Sequence, residues 1–241
     1  MTWAVMAFAA LLGGIIQPLT GFGSAVIMMV AAQYFYDMTV APSVVASICL
    51  FQSTVMAWQL RKYIDFKQSL PPIALYTVCS LAVINLIGGM DLRVLTAIFG
   101  GFLVLLAVYF LFFAKRVTVK PGQGAGLVCS AFSGCCAGAF TVGGPMMALY
   151  FVAVAKDKNT FVANMQFLFA TTNTINFLMR VCRGYYGLAH LPITAVGAAA
   201  VLLGGLIGNA LSRRMTGDVA RQVVYIGVGV SGLVTLLQQV L

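Results

Sequence analysis

The chain has no glutamate. Its acidic residues are five aspartates, Asp37, Asp65, Asp91, Asp157 and Asp218, and all five fall in predicted loops. The apolar segments between those loops hold no carboxylate. Intramembrane proton relays and many cation sites use Asp or Glu, so a cation carrier and carboxylate-based proton coupling are disfavoured. Na⁺ held by backbone carbonyls stays open. Histidine occurs once, as His190 near a predicted helix start, and no chemistry is assigned to it. The six cysteines, Cys49, Cys79, Cys129, Cys135, Cys136 and Cys182, form no CxxC pair and all lie in apolar segments. They read as small buried hydrophobes. No catalytic residue, metal site or cofactor is expected, because no nucleophile–base or metal constellation can be assembled from this inventory.

Charge of either sign is scarce, at 8% of residues against about 25% in a soluble domain. No polar stretch exceeds a short loop, which leaves no room for a soluble domain. The N-terminus lacks a basic region, so no cleaved signal peptide is expected. The net charge of +9 does not imply nucleic acid as a partner, since the Lys and Arg residues are spread over loops between apolar segments.

What the chain has is apolar length: 61% hydrophobic residues and a mean hydropathy of +1.01. The apolar runs are continuous rather than alternating, which favours helices over a barrel. Ten hydrophobic segments are predicted, at 3–16, 21–36, 41–60, 69–89, 93–114, 123–137, 143–155, 159–180, 190–211 and 221–240. A full span needs about 20 residues. The first, second, sixth and seventh segments are shorter. Each short pair reads as a re-entrant hairpin or as two short tilted spans.

The short pairs flank two interruptions. Gly134-Cys135-Cys136-Ala137-Gly138-Ala139-Phe140-Thr141-Val142-Gly143-Gly144-Pro145 resists an unbroken helix, because paired glycines and a proline oppose one. Gly14-Ile15-Ile16-Gln17-Pro18-Leu19-Thr20-Gly21-Phe22-Gly23-Ser24-Ala25 aligns with it without gaps at an offset of 134 − 14 = 120. The same offset carries Pro72-Ile73 onto Pro192-Ile193 and Leu86-Ile87-Gly88 onto Leu206-Ile207-Gly208, with about eight extra residues after Gly208. This is an internal duplication, with halves at 1–118 and 119–241 joined by a linker from Lys115 to Gly124. Five segments is an odd number, so the halves lie in opposite orientations. The expected fold is an all-α polytopic membrane protein of two inverted repeats, with short broken or re-entrant helices at 3–36 and 123–155.

Basic residues set the expected orientation. One side receives Arg61, Lys62, Lys67, Lys115, Arg116, Lys120, Lys156, Lys158, Arg213, Arg214 and Arg221, and the other only Arg93, Arg180 and Arg183. The basic side is cytoplasmic by the positive-inside rule, and both termini face outward.

Paired Gly/Pro-interrupted segments point to a transporter's binding site. A helix that starts at mid-depth presents unpaired N–H groups and the positive end of its dipole, which together suit an anion. The candidate site residues are Thr20, Gly21, Gly23 and Ser24 in the first break and Thr141, Gly143 and Gly144 in the second. The competing reading is that the glycines serve only close helix packing. The eighth segment adds Gln166, Asn173 and Asn176 on one face, and the third adds Gln52 and Ser53. Their amides and hydroxyl can donate to an oxyanion, or they can simply join helices. Arg180 and Arg183 read as interface anchors or as an attractor for anions at an outer mouth. Cys135 and Cys136 could contact a sulfur-containing substrate.

These motifs resemble the sulfite exporter TauE/SafE family, also called the domain-of-unknown-function 81 group. Gly21-Phe22-Gly23-Ser24-Ala25 is similar to its first glycine motif, and Gly143-Gly144-Pro145 with Tyr150 to its second. Tyr63-Ile64-Asp65-Phe66 and Asp91-Leu92-Arg93 resemble two of its turns. The resemblance implies a permease in the plasma membrane of a bacterium or archaeon, carrying small anions such as sulfite, sulfoacetate or thiosulfate. The expectation is therefore an alternating-access anion transporter, a multi-pass protein of the bacterial inner membrane with the lipid bilayer and a small anion as partners. Its oligomeric state is left open. The alternatives are a membrane scaffold without flux and a passive anion channel.

Overall fold

The computed structural model describes residues 2–109 and 123–212, together with Thr235. These residues form α-helices and short 3-10 turns, with no strand among them. In chain order the helices are α1 (Thr2–Thr20), α2 (Ser24–Ala32), α3 (Ala41–Gln59), α4 (Phe66–Ile87), α5 (Leu92–Val108), α6 (Gln123–Phe140), α7 (Gly144–Val154), α8 (Lys158–Cys182) and α9 (Leu191–Ser212). Four apolar stretches, those of α1, α3 and α4 and the stretch Leu188–Ser212, are long enough to cross a membrane. The tenth predicted segment, the boundary at 118/119 and most of the predicted linker lie outside the described residues.

Aspartates start three of the helices. Asp65 Oδ1 accepts from Gln68 N at 3.2 Å, Asp91 Oδ1 from Arg93 N at 2.8 Å, and Asp157 Oδ1 from Thr160 N at 2.7 Å. Each carboxylate satisfies an N–H that the first turn leaves unpaired. The loop aspartates are helix caps at α4, α5 and α8.

The two breaks are shorter than the sequence suggests. Both α1 and α6 run on past the predicted ends at 16 and 137, to Thr20 and Phe140. Only Gly21–Gly23 and Thr141–Gly143 leave the helix, and these three-residue links occupy corresponding positions at 141 − 21 = 120. The earlier glycines stay helical because they are packing positions. A methyl on Gly14 would run into the Val201 carbonyl, and one on Gly204 or Gly208 into the carbonyls of Leu11 or Ile15. On the other side, Gly134 meets the carbonyl of Tyr76, and Gly138 that of Ser80. The α1·α9 and α4·α6 seams are thus backbone-to-backbone contacts that admit no side chain, as small residues permit in membranes.

Pro18 remains inside α1 because its loss is made good from another helix. It has no N–H to give the Gly14 carbonyl four residues back. Gln52 of α3 fills the gap, with Nε2 donating to that carbonyl at 3.0 Å.

Helix contacts pair off when the halves are exchanged. The α1·α9 pair matches α4·α6, α1·α2 matches α6·α7, α2·α3 matches α7·α8, and α3·α9 matches α4·α8, while α3·α8 maps onto itself. The register of one helix pair differs from the expectation. Helices α4 and α9 correspond at 191 − 66 = 125 and 212 − 87 = 125, not at 120. Their seams agree, since Val201 meets Gly14 where Tyr76 meets Gly134, and 201 − 76 = 125. The matches of Pro72-Ile73 with Pro192-Ile193 and of Leu86-Ile87-Gly88 with Leu206-Ile207-Gly208 are chance similarities in apolar helix. The extra residues enter earlier, in the α8–α9 connection that carries the turn Leu188–His190.

Two apolar clusters result. One gathers Met28, Ile48, Phe99, Phe140 and Val142, and the other Phe22, Tyr76, Met147, Phe151 and Leu168. Each break sends its side chains into the cluster made mainly by the opposite half, and the candidate site lies where they cross.

Candidate anion site between the two helix breaks

The links after α1 and α6 are turned by backbone that favours glycine. Gly21 and Gly23 sit at φ 84° and 110°, and Thr141 takes φ 60°. Thr141 is held there by its hydroxyl, which donates to the Pro42 carbonyl at 2.9 Å. A Cβ on Gly144 would lie 2.8 Å from Phe22 Cβ and 3.1 Å from Phe169 Cζ. The first break therefore presses directly on the second.

A small cavity of about 20 Å³, room for about one water, lies between them. Its walls include Gln17, Gly23, Ser24, Ala25 and Val26 of the first break, and Thr141, Val142, Gly144 and Pro145 of the second. Cys49 of α3 and Phe169 and Asn173 of α8 complete it, with Phe22 across the entrance to the second break. The first turns of α2 and α7 both contribute to these walls, so two helix N-termini share one space. No charged side chain lines it. An anion there would meet helix-dipole charge, orphan N–H groups, the Ser24 hydroxyl and the Asn173 amide.

Of the twelve residues singled out in the sequence, the cavity gathers Gly23, Ser24, Thr141, Gly144 and Asn173. The other seven build its frame. Gln166 Nε2 donates to the Gly21 carbonyl at 3.0 Å, and its Oε1 accepts from Gln17 Nε2 at 2.7 Å. Ser24 Oγ in turn donates to Gln17 Oε1. This chain ties α8 to both sides of the first break and uses both polar atoms of each glutamine. Thr20 bonds within its own turn, to the Ile16 carbonyl at 3.1 Å and to the Phe22 carbonyl. Gly143 backs the second break, where a Cβ would strike the Tyr76 hydroxyl and the Ser133 carbonyl. Gln52 repairs α1 at Gly14, and Ser53 donates to the Cys49 carbonyl of its own helix at 2.8 Å. Asn176 Oδ1 accepts from Ser80 Oγ at 2.7 Å, joining α8 to α4.

Among the cavity residues not chosen from the sequence, two carry side chains able to hydrogen-bond, Gln17 and Cys49. Gln17 carried a signal, as a lone amide beside a proline in an apolar run. Cys49 carried none, and its thiol lies 3.5 Å from Ser24 Oγ. Cys135 is exposed and Cys136 half-buried, and neither reaches the cavity. Arg183 is exposed and donates to Asn85 Oδ1. Arg180 is no interface anchor, because it is fully buried.

Helices long and apolar enough to span, in a pseudo-symmetric array around two facing helix breaks, define a multi-pass membrane protein of the transporter class. Residues 6–235 match the sulfite exporter TauE/SafE family, and the chain belongs to it. No curated protein and no solved structure matches the chain.

Proposed function

We propose that this protein is a secondary transporter for a small oxyanion or organosulfur anion, of the sulfite, sulfoacetate or thiosulfate type. The observation that carries the reading is the meeting of two helix N-termini, from duplicated breaks, in one cavity without a carboxylate. Such a site offers N–H donors to an anion and no carboxylate to a cation. The family's description as a sulfite exporter supports the sulfur chemistry. The halves at 1–118 and 119–241 are read as inverted repeats in the plasma membrane, with the basic loops cytoplasmic and both termini outside.

Substrate would bind between the breaks and be released by rocking of the two sides around that point. An inside-negative potential drives an anion outward by about 2.3 kcal/mol per charge per 100 mV. Export therefore needs no coupled cation, whereas uptake would.

The test is flux in proteoliposomes of purified protein, with sulfite, thiosulfate, sulfoacetate and sulfate, and acetate as the control without sulfur. Saturable flux of a sulfur anion, faster out of an inside-negative vesicle, is the expected result. Flux that does not saturate would make the protein a channel. Absence of flux for every anion, with proton and Na⁺ gradients imposed, would remove the transport reading in favour of a scaffold.

A further inference from the structure

Arg180 is the one fully buried charged side chain among the described residues. It sits in the last turn of α8. Its Nη2 donates to the carbonyl of Gly138. That carbonyl belongs to the last turn of α6, which stops at Phe140 and leaves its final carbonyls without intrahelical donors. The bond occupies one of five guanidinium N–H groups. Nε and Nη1 are buried and have no partner.

No carboxylate among the described residues answers the charge. Asp65, Asp91 and Asp157 cap helix N-termini, and Asp37 lies in the turn between α2 and α3. A guanidinium does not release its proton in a protein, and burying one unpaired is strongly unfavourable. Capping α6 does not explain the choice of residue, since any single neutral donor would do that. An orphan cation in a wall of helices wants an anion that the described residues do not supply.

The position lies on a polar face of α8 that leads to the central cavity. Helical side chains lean toward the N-terminus of their helix, so Arg180 reaches back toward Asn176, four residues earlier. Contacts agree with this. Gly138, its partner, abuts Ser80, and Ser80 Oγ bonds Asn176 Oδ1 at 2.7 Å. Asn173 is three residues further along and lines the central cavity. Asn173, Asn176 and Arg180 thus form one polar ladder on a single face of α8. By helix rise its ends are about 10 Å apart.

We propose that Arg180 is a second anion-binding station, in which Nε and Nη1 take oxygens of a small oxyanion at the end of this ladder toward the C-terminus of α8. A planar guanidinium with several N–H groups suits sulfite- or sulfate-like oxygens better than a halide. As a step on a route, the station rests on the transport reading above. As a binding site it stands without it.

The experiment is equilibrium binding of radiolabelled sulfite to the full chain in nanodiscs, with unlabelled sulfate and chloride as competitors, for wild type, Arg180→Met and Arg180→Lys. The thermal midpoint of each is read in anion-poor buffer. Wild type should bind two sulfites per chain; Arg180→Met should bind the second at least tenfold more weakly, yet melt no lower than wild type, because it removes an unpaired buried charge at similar volume. Arg180→Lys should fall between the two. Sulfate should compete better than chloride.

Wild-type affinity in Arg180→Met, or no sulfite binding by wild type, would overturn the proposal. Should Arg180→Met not fold, Arg180→Lys decides: unchanged affinity overturns the station, and a clear loss in folded protein upholds it. Flux measured on the same preparations separates this from the transport reading. Wild type that binds sulfite without carrying it keeps the station and removes transport. Arg180→Met that binds and carries sulfite as wild type does removes the station and keeps transport.

Discussion

Gln52 illustrates how an intramembrane amide acquires a structural duty. Its Nε2 replaces the hydrogen bond that Pro18 cannot make to the Gly14 carbonyl. With no water in the bilayer core to take over, that carbonyl has no other ready donor. Gln52→Leu should therefore destabilise the protein by about 1–3 kcal/mol, the cost of a buried polar group left unpaired. In a Pro18→Ala background the amide at position 18 regains its proton, and most of that cost should vanish. Thermal or steric-trap unfolding of the double-mutant cycle measures the coupling. Full additivity would show that the two residues do not compensate each other. Gln166 and Gln17 are bound by similar logic to the first break, and their residue types were legible as polar interruptions in apolar segments. Which partner each would find was not, because amide donors are equivalent until a neighbouring helix sets the geometry.

Among the helices, α8 is the longest described, and its start depends on an aspartate. Asp157 is exposed, and the hydrogen bond from the Thr160 backbone holds its carboxyl below the usual carboxylate range. A carboxyl whose value is lower folded than unfolded stabilises the fold above its unfolded value. That contribution fades as pH falls through the folded value. The first turn of α8 should thus loosen only in the acid range below that of an ordinary aspartate. Hydrogen exchange of the amides at 159–161 against pH should show this, and Asp157→Asn should remove the pH dependence while keeping a cap. A pH-independent wild type would mean that the cap is not electrostatic. The breaks are shorter than the expected segment ends at 16 and 137 implied. Gly14, Gly134 and Gly138 stay helical because carbonyls of neighbouring helices stand where a Cβ would go. Gly21 and Gly23 leave the helix, with positive φ. Sequence offers the same letter for both roles, and packing separates them.

Across the molecule, the tightest seams join opposite halves. The pairs α1·α9 and α4·α6 meet backbone to backbone, and Phe22 packs into the cluster built around α4, α6, α7 and α8. A moving body made of one repeat alone would tear both seams. We expect α1 to travel with α9 and α6 with α4, with the sliding surface at the contact between the breaks. Phe22→Cys with Gly144→Cys, in a background without the native cysteines, places two thiols at that contact. The ideal Cβ at 144 lies 2.8 Å from Phe22 Cβ, so the two links need part by only about 1 Å to reach disulfide geometry. Oxidation should stop flux by at least tenfold and reduction should restore it. Undiminished flux in the cross-linked protein would place the moving surface elsewhere.

The chain alone established the membrane class and the position of both breaks. Each rests on composition or on a local conflict with helix, such as Gly143-Gly144-Pro145, and such signals need no partner to be read. It also marked Gly23, Ser24, Thr141, Gly144 and Asn173, which meet in one cavity. The register of α4 against α9 required contacts, because apolar helices resemble one another at many offsets and only the seam glycines select one. Arg180 required them too. Its place near the end of a long helix reads as an interface anchor, and its burial follows from α4 packing on α8 and from the reach of its guanidinium to the end of α6.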